Sequence, residues 1–576
     1  MTVQFRNALS SRILQLLRVD ANEPLAFQSI YGALKLRRGE NQPEFHLSTK
    51  EFASICKDVG LSKSPTEIVS DVLTADYDKE QIVGAKLVNH SYDNVVTFAL
   101  NHNNFVSEVF ASADKTVFNE PKRRIIVEFS SPNIAKPFHF GHLRSTIIGN
   151  FISNIYKFFG HDVIRMNYLG DWGTQFGLLQ IGMELNKLST KDIKSDPITH
   201  LFNAYVQANQ LAASDPSISE RARSIFCQLE NGQTTDLSDW MECRKFTVDE
   251  LKGIYRRLGI EFDEYSWESE YRKQNIMQII DLMNERGLLK TDSDGKSIVE
   301  AGDKSYTLRK SDGTTLYLTR DVAAIFDRSK KYDFDEMLYV VENGQHNHFQ
   351  SMFDVAKLLH FPKVDHLRHI KFGRIAKMST RRGNVVFLKD VLDEARDLAL
   401  EIMEKDKDTK IDLKSMGQTV ADVLGTSSVI INDLKLKRSA TYEFDLEEAS
   451  KVTGHTGYQL QYTHCRLCRL EEIPGVKMAT HCNPKLLQEP EAANLIYSMA
   501  RCADVLKDAK DSLEAFRVVK YTFDLCKTIN KAHRELSIKN ESNSEIQEQR
   551  MLLFRTARLI VNRNMRLLGL QPLERM

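Results

Sequence analysis

Cysteine, proline and glycine are scarce in this sequence, and neither sign of charge is in excess. Eight cysteines in 576 residues are too few and too scattered for the disulfide framework of a secreted protein, which indicates a reducing compartment. With 13 prolines and 27 glycines, a collagen-like or disordered chain is excluded. No run of about 18 apolar residues occurs, which excludes a membrane-spanning helix. Because 78 Lys and Arg balance 78 Asp and Glu, a polyanionic partner would need a local basic surface.

Cys465 and Cys468 form a single C-x2-C pair. No second pair follows at the spacing of a zinc finger or ribbon, so we predict two buried thiols one helical turn apart and no metal site in the protein.

The length is about four times that of a typical domain, and the sequence pattern changes twice along the chain. Residues 1–118 mix helical patterns with short strands and predict a small α/β domain. Residues 119–404 alternate strands with helices, interrupted from about 185 to 300 by a polar, helical insertion. From about 405 to 576 the pattern is almost entirely helical, which predicts a helical bundle.

The middle domain opens with the signature of a parallel sheet. An apolar strand (124–129) is followed by a turn, a long helical pattern that ends at Gly160, and a second strand (163–170). Strand-like runs at 314–319 and 337–341, each followed by a helical pattern, indicate that the same sheet resumes after the insertion.

The first eighteen residues contain Arg6, Arg12 and Arg18, no acid, and apolar residues at helical spacing. This pattern fits an amphipathic transit peptide. It equally fits the first helix of the N-terminal domain, and the sequence alone does not decide between them.

His139-Phe140-Gly141-His142 lies between the first strand and the long helix, whose N-terminus offers unpaired N–H groups to an anion. Gly141 would let a nucleotide approach the backbone, while His139 and His142 can donate hydrogen bonds to phosphate oxygens. A purely structural role for these residues is the alternative, but the strand-to-helix position favours nucleotide binding.

Glu128 interrupts an apolar strand, where a carboxylate is costly unless a positive group pairs with it. The partner is either a ligand or a residue of an internal salt bridge. Asp321 follows the strand-like LYLTR and is either a second ligand-binding acid or a helix N-cap.

Residues 371–389 contain six basic side chains and no acid, bracketed in the middle by Gly373 and Gly383. A basic loop of this kind suits charge stabilisation during phosphoryl or nucleotidyl transfer. The alternative is a solvated surface loop.

These segments together resemble the arginyl-tRNA synthetases, most closely the animal mitochondrial form. The resemblance runs from about residue 121 to the C-terminus, and it rests on six segments in order: VEFSSPN (127–133), HFGH (139–142), GDWGTQFG (170–177), LYLTRD (316–321), MSTRRGNV (378–385) and GYQLQYTHCRL (457–467). It implies a Rossmann-like class I catalytic domain and an α-helical anticodon-binding domain.

The resemblance implies that HFGH stands for the HIGH signature and Lys377-Met378-Ser379-Thr380 for KMSK. Thr380 occupies the place of the second lysine, so we expect Lys136, just before HFGH, and Arg381 to supply the missing charge. The implied catalytic residues are His139, His142, Lys136, Lys377 and Arg381. The implied ATP-binding residues are His139, Gly141, His142, Met378 and Ser379, with Mg²⁺ accompanying ATP.

The family's L-arginine pocket falls on Glu128, Asn133, Tyr317, Asp321 and Gln345. Two carboxylates suit a planar, forked guanidinium, which lysine's point charge would not satisfy. The resemblance implies that Glu128 and Asp321 grip the guanidinium, that Tyr317 lines the pocket, and that Asn133 and Gln345 hold the α-amino end.

For tRNA, the C-terminal bundle offers basic and aromatic side chains. The expected contacts are Tyr458, Tyr462, Arg555, Arg558 and Arg563. The N-terminal domain resembles the family's tRNA-elbow domain only faintly. The expected activity is ATP-dependent formation of arginyl-adenylate and transfer to the terminal adenosine of tRNA-Arg, by a monomer in the mitochondrial matrix, with the cytoplasm as the alternative. A non-catalytic tRNA-binding descendant of a class I synthetase is the competing interpretation.

Overall fold

The computed structural model describes most of the chain, and every structural statement below concerns the described part. The described residues are 2–19, 24–39, 42–58, 60, 64–89, 92–113, 120–133, 138–188, 193, 197–230, 238–271, 273–311, 313–379, 387–406 and 411–576.

The N-terminal unit is a four-stranded antiparallel sheet packed against helices, as predicted for an α/β domain. The strands are β1 (Lys35–Arg38), β2 (Pro43–Ser48), β3 (Ile82–Val88) and β4 (Val95–Leu100), in the order β1-β2-β4-β3. The helices are α1 (Val3–Leu17), α2 (Pro24–Ala33), α3 (Thr49–Asp58), α4 (Pro65–Thr74) and α5 (His102–Ala111). Helix α4 begins with a capping box of Ser64 and Glu67.

Helix α1 is built into the core of the protein. Its buried residues include Phe5, Leu9, Ile13, Leu14 and Leu17, and the helix packs against α2 and α4. Arg6 is also buried, and its Nη2 lies 2.6 Å from Asp504 Oδ2 near the C-terminal end of the chain. The structure therefore favours the domain helix over the transit peptide as the interpretation of residues 1–18.

A five-stranded parallel sheet forms the centre of the molecule. Its strands are β5 (Arg124–Glu128), β6 (Asp162–Leu169), β7 (Glu264–Trp267), β11 (Glu336–Glu342) and β12 (Leu367–Phe372), in the order β12-β11-β5-β6-β7. Helix α6 (Leu143–Phe158) connects β5 to β6, so the predicted strand–helix–strand unit is confirmed. The strand order reverses between β5 and β11, which opens a crevice at their carboxyl ends.

The region between β6 and β11 is helical first and then contributes strands. Its helices are α7 (Thr174–Leu185), α8 (Pro197–Ser214), α9 (Pro216–Glu230), α10 (Ser238–Arg257) and α11 (Lys273–Glu285). Strands β8 (Leu289–Thr291), β9 (Ser297–Ala301) and β10 (Lys304–Arg309) form a separate antiparallel sheet. The predicted insertion is thus helical, but within its predicted bounds β7 belongs to the central sheet.

The strand predicted at 314–319 is wrong. Residues from Tyr317 onward form α12 (Tyr317–Tyr332), with Leu316 as its extended N-cap residue. The buried residues Leu318, Val322 and Ile325 are spaced four and three apart, so the helical period begins inside the LYLTR segment. Asp321 is consequently an interior residue of a helix and not its N-cap.

From residue 343 onward, the remaining elements in the described ranges are helices and two short strands. The helices are α13 (His346–Leu358), α14 (Leu388–Lys405), α15 (Leu413–Leu434), α16 (Leu446–Ala449), α17 (Gly457–Leu470), α18 (Pro490–Ala500), α19 (Cys502–Ser512), α20 (Ala515–Glu535) and α21 (Ser544–Leu567). Strands β13 (Ile375–Ser379) and β14 (Tyr442–Asp445) pair in parallel. None of the helices in the described part is both long and apolar enough to cross a membrane.

Candidate active site

The turn after β5 is held in an unusual backbone conformation. Ser130 and Ser131 have φ values of 73° and 44°, in the left-handed region that non-glycine residues rarely adopt. The Ser130 N–H donates to Ser145 Oγ at 2.9 Å, and Ser145 Oγ donates to the Val340 carbonyl at 2.7 Å. This network fixes β5, α6 and β11 to one another at the crevice, where strain of this kind is typical of functional sites.

The HFGH segment leads directly into α6, and residues 134–137 before it lie outside the described part of the chain. Phe138 and Phe140 are buried and anchor the segment, while His139 and Gly141 are exposed. His139 Nδ1 accepts a hydrogen bond from the Gly141 N–H at 2.9 Å, and burial lowers the pKa of His139. A neutral ring that accepts at Nδ1 carries its proton on Nε2, so His139 has a donor available for a ligand oxygen. The His142 ring stacks on Phe138 with centroids 5.5 Å apart.

Glu128 is almost fully buried at the carboxyl end of β5. Its Oε2 lies 2.5 Å from Nη1 of Arg328, which projects from α12 and is itself 2% exposed at the side chain. Burial raises the pKa of Glu128, the nearby Asp321 adds to the rise, and Arg328 opposes it. Of the two partners that the sequence allowed for Glu128, the internal salt bridge is therefore present. It occupies one of the two carboxylate oxygens.

Asp321 and Glu268 complete an acidic pocket beside Glu128. Asp321 Oδ2 lies 2.7 Å from His348 Nε2, and the aspartate raises the pKa of that histidine. Glu268 follows β7, is buried, and receives a 2.8 Å hydrogen bond from Arg320 Nε. Burial raises the pKa of Glu268, and Asp321 contributes to the rise. Each acid has a basic partner within the protein: Arg328 for Glu128, Arg320 for Glu268 and His348 for Asp321.

The other predicted pocket residues lie around the same crevice. The Tyr317 ring is 49% exposed, and a Cβ at Gly173 would meet its hydroxyl at 3.0 Å. Asn133 forms a β-bridge to Gly170, and a Cβ at Gly170 would lie 1.8 Å from the Asn133 side-chain oxygen. Gln345 is exposed at the turn between β11 and α13, three residues before His348.

The predicted basic loop continues from β13, and its residues 380–386 lie outside the described part of the chain. Lys377 Nζ is exposed and lies 3.3 Å from Glu443 on β14, while Met378 is paired in register with Phe444. Ser379 is the last residue of β13. At the far end of the loop, Phe387 forms a β-bridge to His139. The predicted contributions of Lys136 and Arg381 fall outside the described residues.

A cavity of about 400 Å³ lies next to the start of this loop, at the carboxyl ends of β11 and β12. Arg144, two residues after His142, donates to the carbonyl of Gly373 in the cavity wall at 2.7 Å. The cavity is lined by Glu342, Asn343, Gly344, Lys371, Phe372, Gly373, Arg374, Ser439 and Thr441. It is therefore close to the HFGH segment as well as to the loop.

Three of the five residues expected to contact tRNA are engaged within the protein. Tyr458 is 1% exposed and lies in the core, which corrects the expectation that its ring stacks on a base. Arg558 is paired with Glu471 at 2.5 Å, and Arg563 donates to the Ala113 carbonyl at 3.1 Å. Tyr462, 48% exposed, and Arg555 present the most accessible side chains of the five.

Cys465 and Cys468 both lie on α17. Cys465 is buried, with Sγ 3.1 Å from the Leu573 carbonyl, and burial raises its pKa to about 12. A thiol with so high a pKa is a poor metal ligand at neutral pH.

Sequence reasoning did not find Arg328, His348 or Glu268. Arg328 lies seven residues after Asp321, two helical turns along the same helix, a spacing that could have identified it. His348 follows β11 at the same edge of the sheet as Glu128. Glu268 follows β7. Because the sequence predicts an insertion over this stretch and no strand of the central sheet, it does not place Glu268 at the edge where Glu128 lies.

Two family models cover most of the chain. The model described as "tRNA synthetases class I (R), catalytic domain" matches residues 105–446, and the "DALR anticodon binding domain" matches residues 460–576. The first includes all the crevice residues described above, and the second includes most of α17 and all of α18–α21.

Curated relatives and solved structures agree with these matches. The chain is 42% identical over 461 residues to a probable mitochondrial arginine–tRNA ligase of Bos taurus, covering 79% of each chain. It is 34% identical over 602 residues to a probable cytoplasmic arginine–tRNA ligase of Dictyostelium discoideum, covering 99% of this chain and 100% of the relative. The structure of arginyl-tRNA synthetase from Thermus thermophilus is 19% identical and superposes with a TM-score of 0.79 over 99% of this chain and 100% of that chain, which shows the shared fold. The chain belongs to the arginyl-tRNA synthetase family, with a class I catalytic domain and a DALR anticodon-binding domain.

Proposed function

We propose that the crevice between β5 and β11 is where this arginine–tRNA ligase forms arginyl-adenylate from L-arginine and ATP and then transfers arginine to the terminal adenosine of tRNA-Arg. The observation that carries the proposal is that Asp321, on α12, interacts electrostatically with both Glu128, at the carboxyl end of β5, and Glu268, just after β7. A pocket with this concentration of carboxylates selects a cationic side chain.

Asp321 is the carboxylate best placed to hold the substrate guanidinium. It is the most exposed of the three acids, with 20% of its side chain accessible, and only His348 is recorded as its ion-pair partner in the described part of the chain. Arg328 contacts one oxygen of Glu128, so the other oxygen accepts a single hydrogen bond from the substrate guanidinium. The carboxylate also contributes negative potential to the pocket. Tyr317 forms the exposed aromatic wall of the pocket, and Asn133 and Gln345 hold the α-amino end.

Activation requires positioning and charge neutralisation. The carboxylate of arginine is ionised at neutral pH, so it attacks the α-phosphorus without a general base, the bond from the α-phosphorus to the bridging oxygen breaks, and pyrophosphate leaves. His139 donates from Nε2 to the phosphates, and His142 lies in the next turn of the same segment. Lys136, Lys377 and Arg381 would neutralise the departing pyrophosphate. Gly141, Met378 and Ser379 would hold the nucleotide.

We assign Mg²⁺ to the phosphates of ATP and not to a resident protein site. Among the residues that the structure describes, no group of three or more His, Cys, Asp or Glu side chains could hold a metal ion. The ion would supply Lewis-acid stabilisation of the leaving pyrophosphate when it arrives with the nucleotide.

For tRNA we retain Tyr462 and Arg555 as contacts on the C-terminal bundle. Tyr458, Arg558 and Arg563 are withdrawn as tRNA contacts, because the first is buried and the other two are bound within the protein. We keep the domain bounds 1–118, 119–404 and 405–576 as a proposal, together with a monomeric state.

We place the protein in the mitochondrial matrix, with the cytoplasm as the alternative. The support is the 42% identity to relatives named mitochondrial, although relatives named cytoplasmic also match. A reporter fused to the C-terminus of the full chain that remained in the cytosol would contradict the assignment.

Aminoacylation kinetics of Asp321→Asn test the pocket. We expect the variant to lower kcat/KM for arginine by at least about 30-fold, since truncating one partner of a buried charge pair typically costs about 2–5 kcal/mol. Asp354→Asn is the matched control, because Asp354 lies on α13 and contacts Tyr306 and Gln350 instead of the pocket. Equal charging by the two variants would refute the assignment of Asp321.

A further inference from the structure

Arg320 is a buried cation on α12, one residue before Asp321, and its side chain is 2% exposed. Its Nε lies 2.8 Å from Glu268 Oε1, and its Nη1 lies 3.4 Å from Glu230 Oε1. Nη1 also donates to Thr315 Oγ1 at 3.0 Å, and Thr315 Oγ1 donates to the same Glu230 oxygen at 2.7 Å. The Arg320 guanidinium therefore lies between two carboxylates.

The groups that hold Arg320 come from separate parts of the chain. Glu268 directly follows β7 of the central sheet. Glu230 is the last residue of α9, in the helical insertion. Thr315 lies two residues before the start of α12. The guanidinium thus joins the central sheet, the insertion and the helix that carries Asp321.

Arg320 also contacts the aromatic wall of the pocket. Its guanidinium carbon lies 5.1 Å from the centre of the Tyr317 ring, three residues earlier on the same helix. A Cβ at Gly173 would meet the Tyr317 hydroxyl at 3.0 Å, so the backbone of Gly173 bounds the other end of the ring. Burial raises the pKa of Tyr317, Glu268 and Asp321 raise it further, and Arg320 opposes the rise. The phenol is therefore close to both acids.

The pairing of Arg320 with Glu268 is a poor source of stability. Burial raises the pKa of Glu268 to about 8 although Arg320 lowers it, which indicates that desolvation outweighs the attraction. Buried ion pairs of this kind seldom add net stability over apolar packing. A planar guanidinium that donates in several directions does, however, fix the relative placement of its partners.

We propose that Arg320 is a positioning residue of the arginine pocket, which holds the Tyr317 ring and the Glu268 carboxylate in place beside Asp321. Because Arg320 occupies Glu268, Asp321 is left to receive the substrate guanidinium. Glu230 anchors Arg320 from the helical insertion, so the insertion contributes to the shape of the pocket. The inference rests on the proposed function, because it needs L-arginine to bind at Asp321.

Aminoacylation kinetics of Arg320→Ala and Arg320→Lys, measured over a range of arginine concentrations, test the inference. We expect Arg320→Ala to raise the KM for arginine by at least about tenfold with a smaller change in kcat, since slight misplacement of a site can cost up to about 100-fold. Lysine keeps the charge but cannot bridge both carboxylates and Thr315, so the KM of Arg320→Lys should fall between those of the wild type and Arg320→Ala.

Added guanidinium ion gives a readout that a general loss of stability would not produce. In the wild type, millimolar guanidinium chloride should compete with the substrate side chain at Asp321 and raise the apparent KM for arginine. In Arg320→Ala, the ion should also fill the space between Glu268 and Glu230 and lower the apparent KM. Sodium chloride at the same ionic strength corrects for screening.

Arg257 supplies a matched control. It too lies between two carboxylates, with Nη1 2.8 Å from Asp393 and Nη2 2.6 Å from Asp422, but these acids belong to α14 and α15 and not to the pocket. Arg257→Ala is expected to keep the wild-type KM for arginine and to respond to guanidinium as the wild type does.

An unchanged KM in folded Arg320→Ala would overturn the inference, and so would a raised KM that guanidinium does not lower. If Arg320→Ala does not fold, Glu230→Ala decides, because it removes one anchor of Arg320 from outside the pocket. A KM raised by at least about threefold in that variant supports the inference, and an unchanged KM overturns it. Absence of arginine charging by the wild type would instead overturn the proposed function, and this inference with it.

Discussion

Removal of residues 1–18 is expected to unfold the N-terminal unit. Helix α1 contributes Phe5, Leu9, Ile13, Leu14 and Leu17 to the core, each at most 5% exposed. Complete burial of such a side chain contributes about 1.5–3 kcal/mol, so the five together contribute about 8–15 kcal/mol as an upper estimate. This equals the whole free energy of unfolding of a typical domain, about 5–15 kcal/mol.

Hydrogen exchange monitored by mass spectrometry provides the assay. In the full chain, we expect the amides of β1–β4 to be protected, and in a chain that begins at residue 19 we expect them to exchange as in an unfolded segment. A single substitution, Ile13→Ala, is expected to lower the free energy of unfolding by about 2–5 kcal/mol. Gln15→Ala, on the exposed face of the same helix, is the control and is expected to change it by less than about 0.5 kcal/mol. Retained protection of β1–β4 in the truncated chain would refute the reasoning and restore the transit-peptide interpretation.

Three further substitutions test the crevice. Glu128→Gln leaves the Arg328 guanidinium buried without an opposite charge. Denaturant titration should therefore show a loss of about 3–5 kcal/mol in the free energy of unfolding. A loss below about 1 kcal/mol would contradict the buried pair. Gly170→Ala places a Cβ against the Asn133 amide. It should raise the KM for arginine while the melting temperature stays within a few degrees of the wild type. An unchanged KM would argue against Asn133 as a substrate contact. Asp171 follows β6, is buried, and accepts hydrogen bonds from the N–H and the hydroxyl of Ser269. Burial raises its pKa to about 6, so its stabilising contribution is complete below the unfolded pKa of about 3.9 and is lost as the pH rises through 6. In denaturant titrations, the free energy of unfolding of Asp171→Asn relative to that of the wild type should therefore rise by up to about 3 kcal/mol between pH 4 and pH 7. A difference that does not change with pH would contradict the raised pKa.

The elements that the sequence predicted well are those with strong local signals. The unit from β5 through α6 to β6 combines two apolar strands with a long helix that ends near a glycine, and each part is recognisable without knowledge of its neighbours. The prediction at 314–319 failed because a run of six residues is too short to distinguish a strand from the first turn of α12. Strand β7 has only four residues, and it is a strand because β6 lies beside it.

The site was harder to predict than the fold, because some of its residues contact partners that are far away in the sequence. Glu128 was correctly expected to need a positive partner, but Arg328 lies 200 positions away and only the fold brings the two together. Tyr458 and Tyr462 are four residues apart, so helical spacing places them on similar faces. Tyr458 is nevertheless buried by α14, α15 and the C-terminal residues, while Tyr462 stays accessible. Such differences depend on tertiary packing.

The most direct test of the account is pyrophosphate exchange with arginine and ATP, run with and without tRNA-Arg. The account predicts exchange that requires arginine, is not supported by lysine or another amino acid, and depends on bound tRNA. Exchange with a different amino acid would contradict the assignment of the acidic pocket to the arginine guanidinium. No exchange under any condition, by a folded chain that still binds tRNA, would contradict the assignment of the crevice as a site of amino-acid activation.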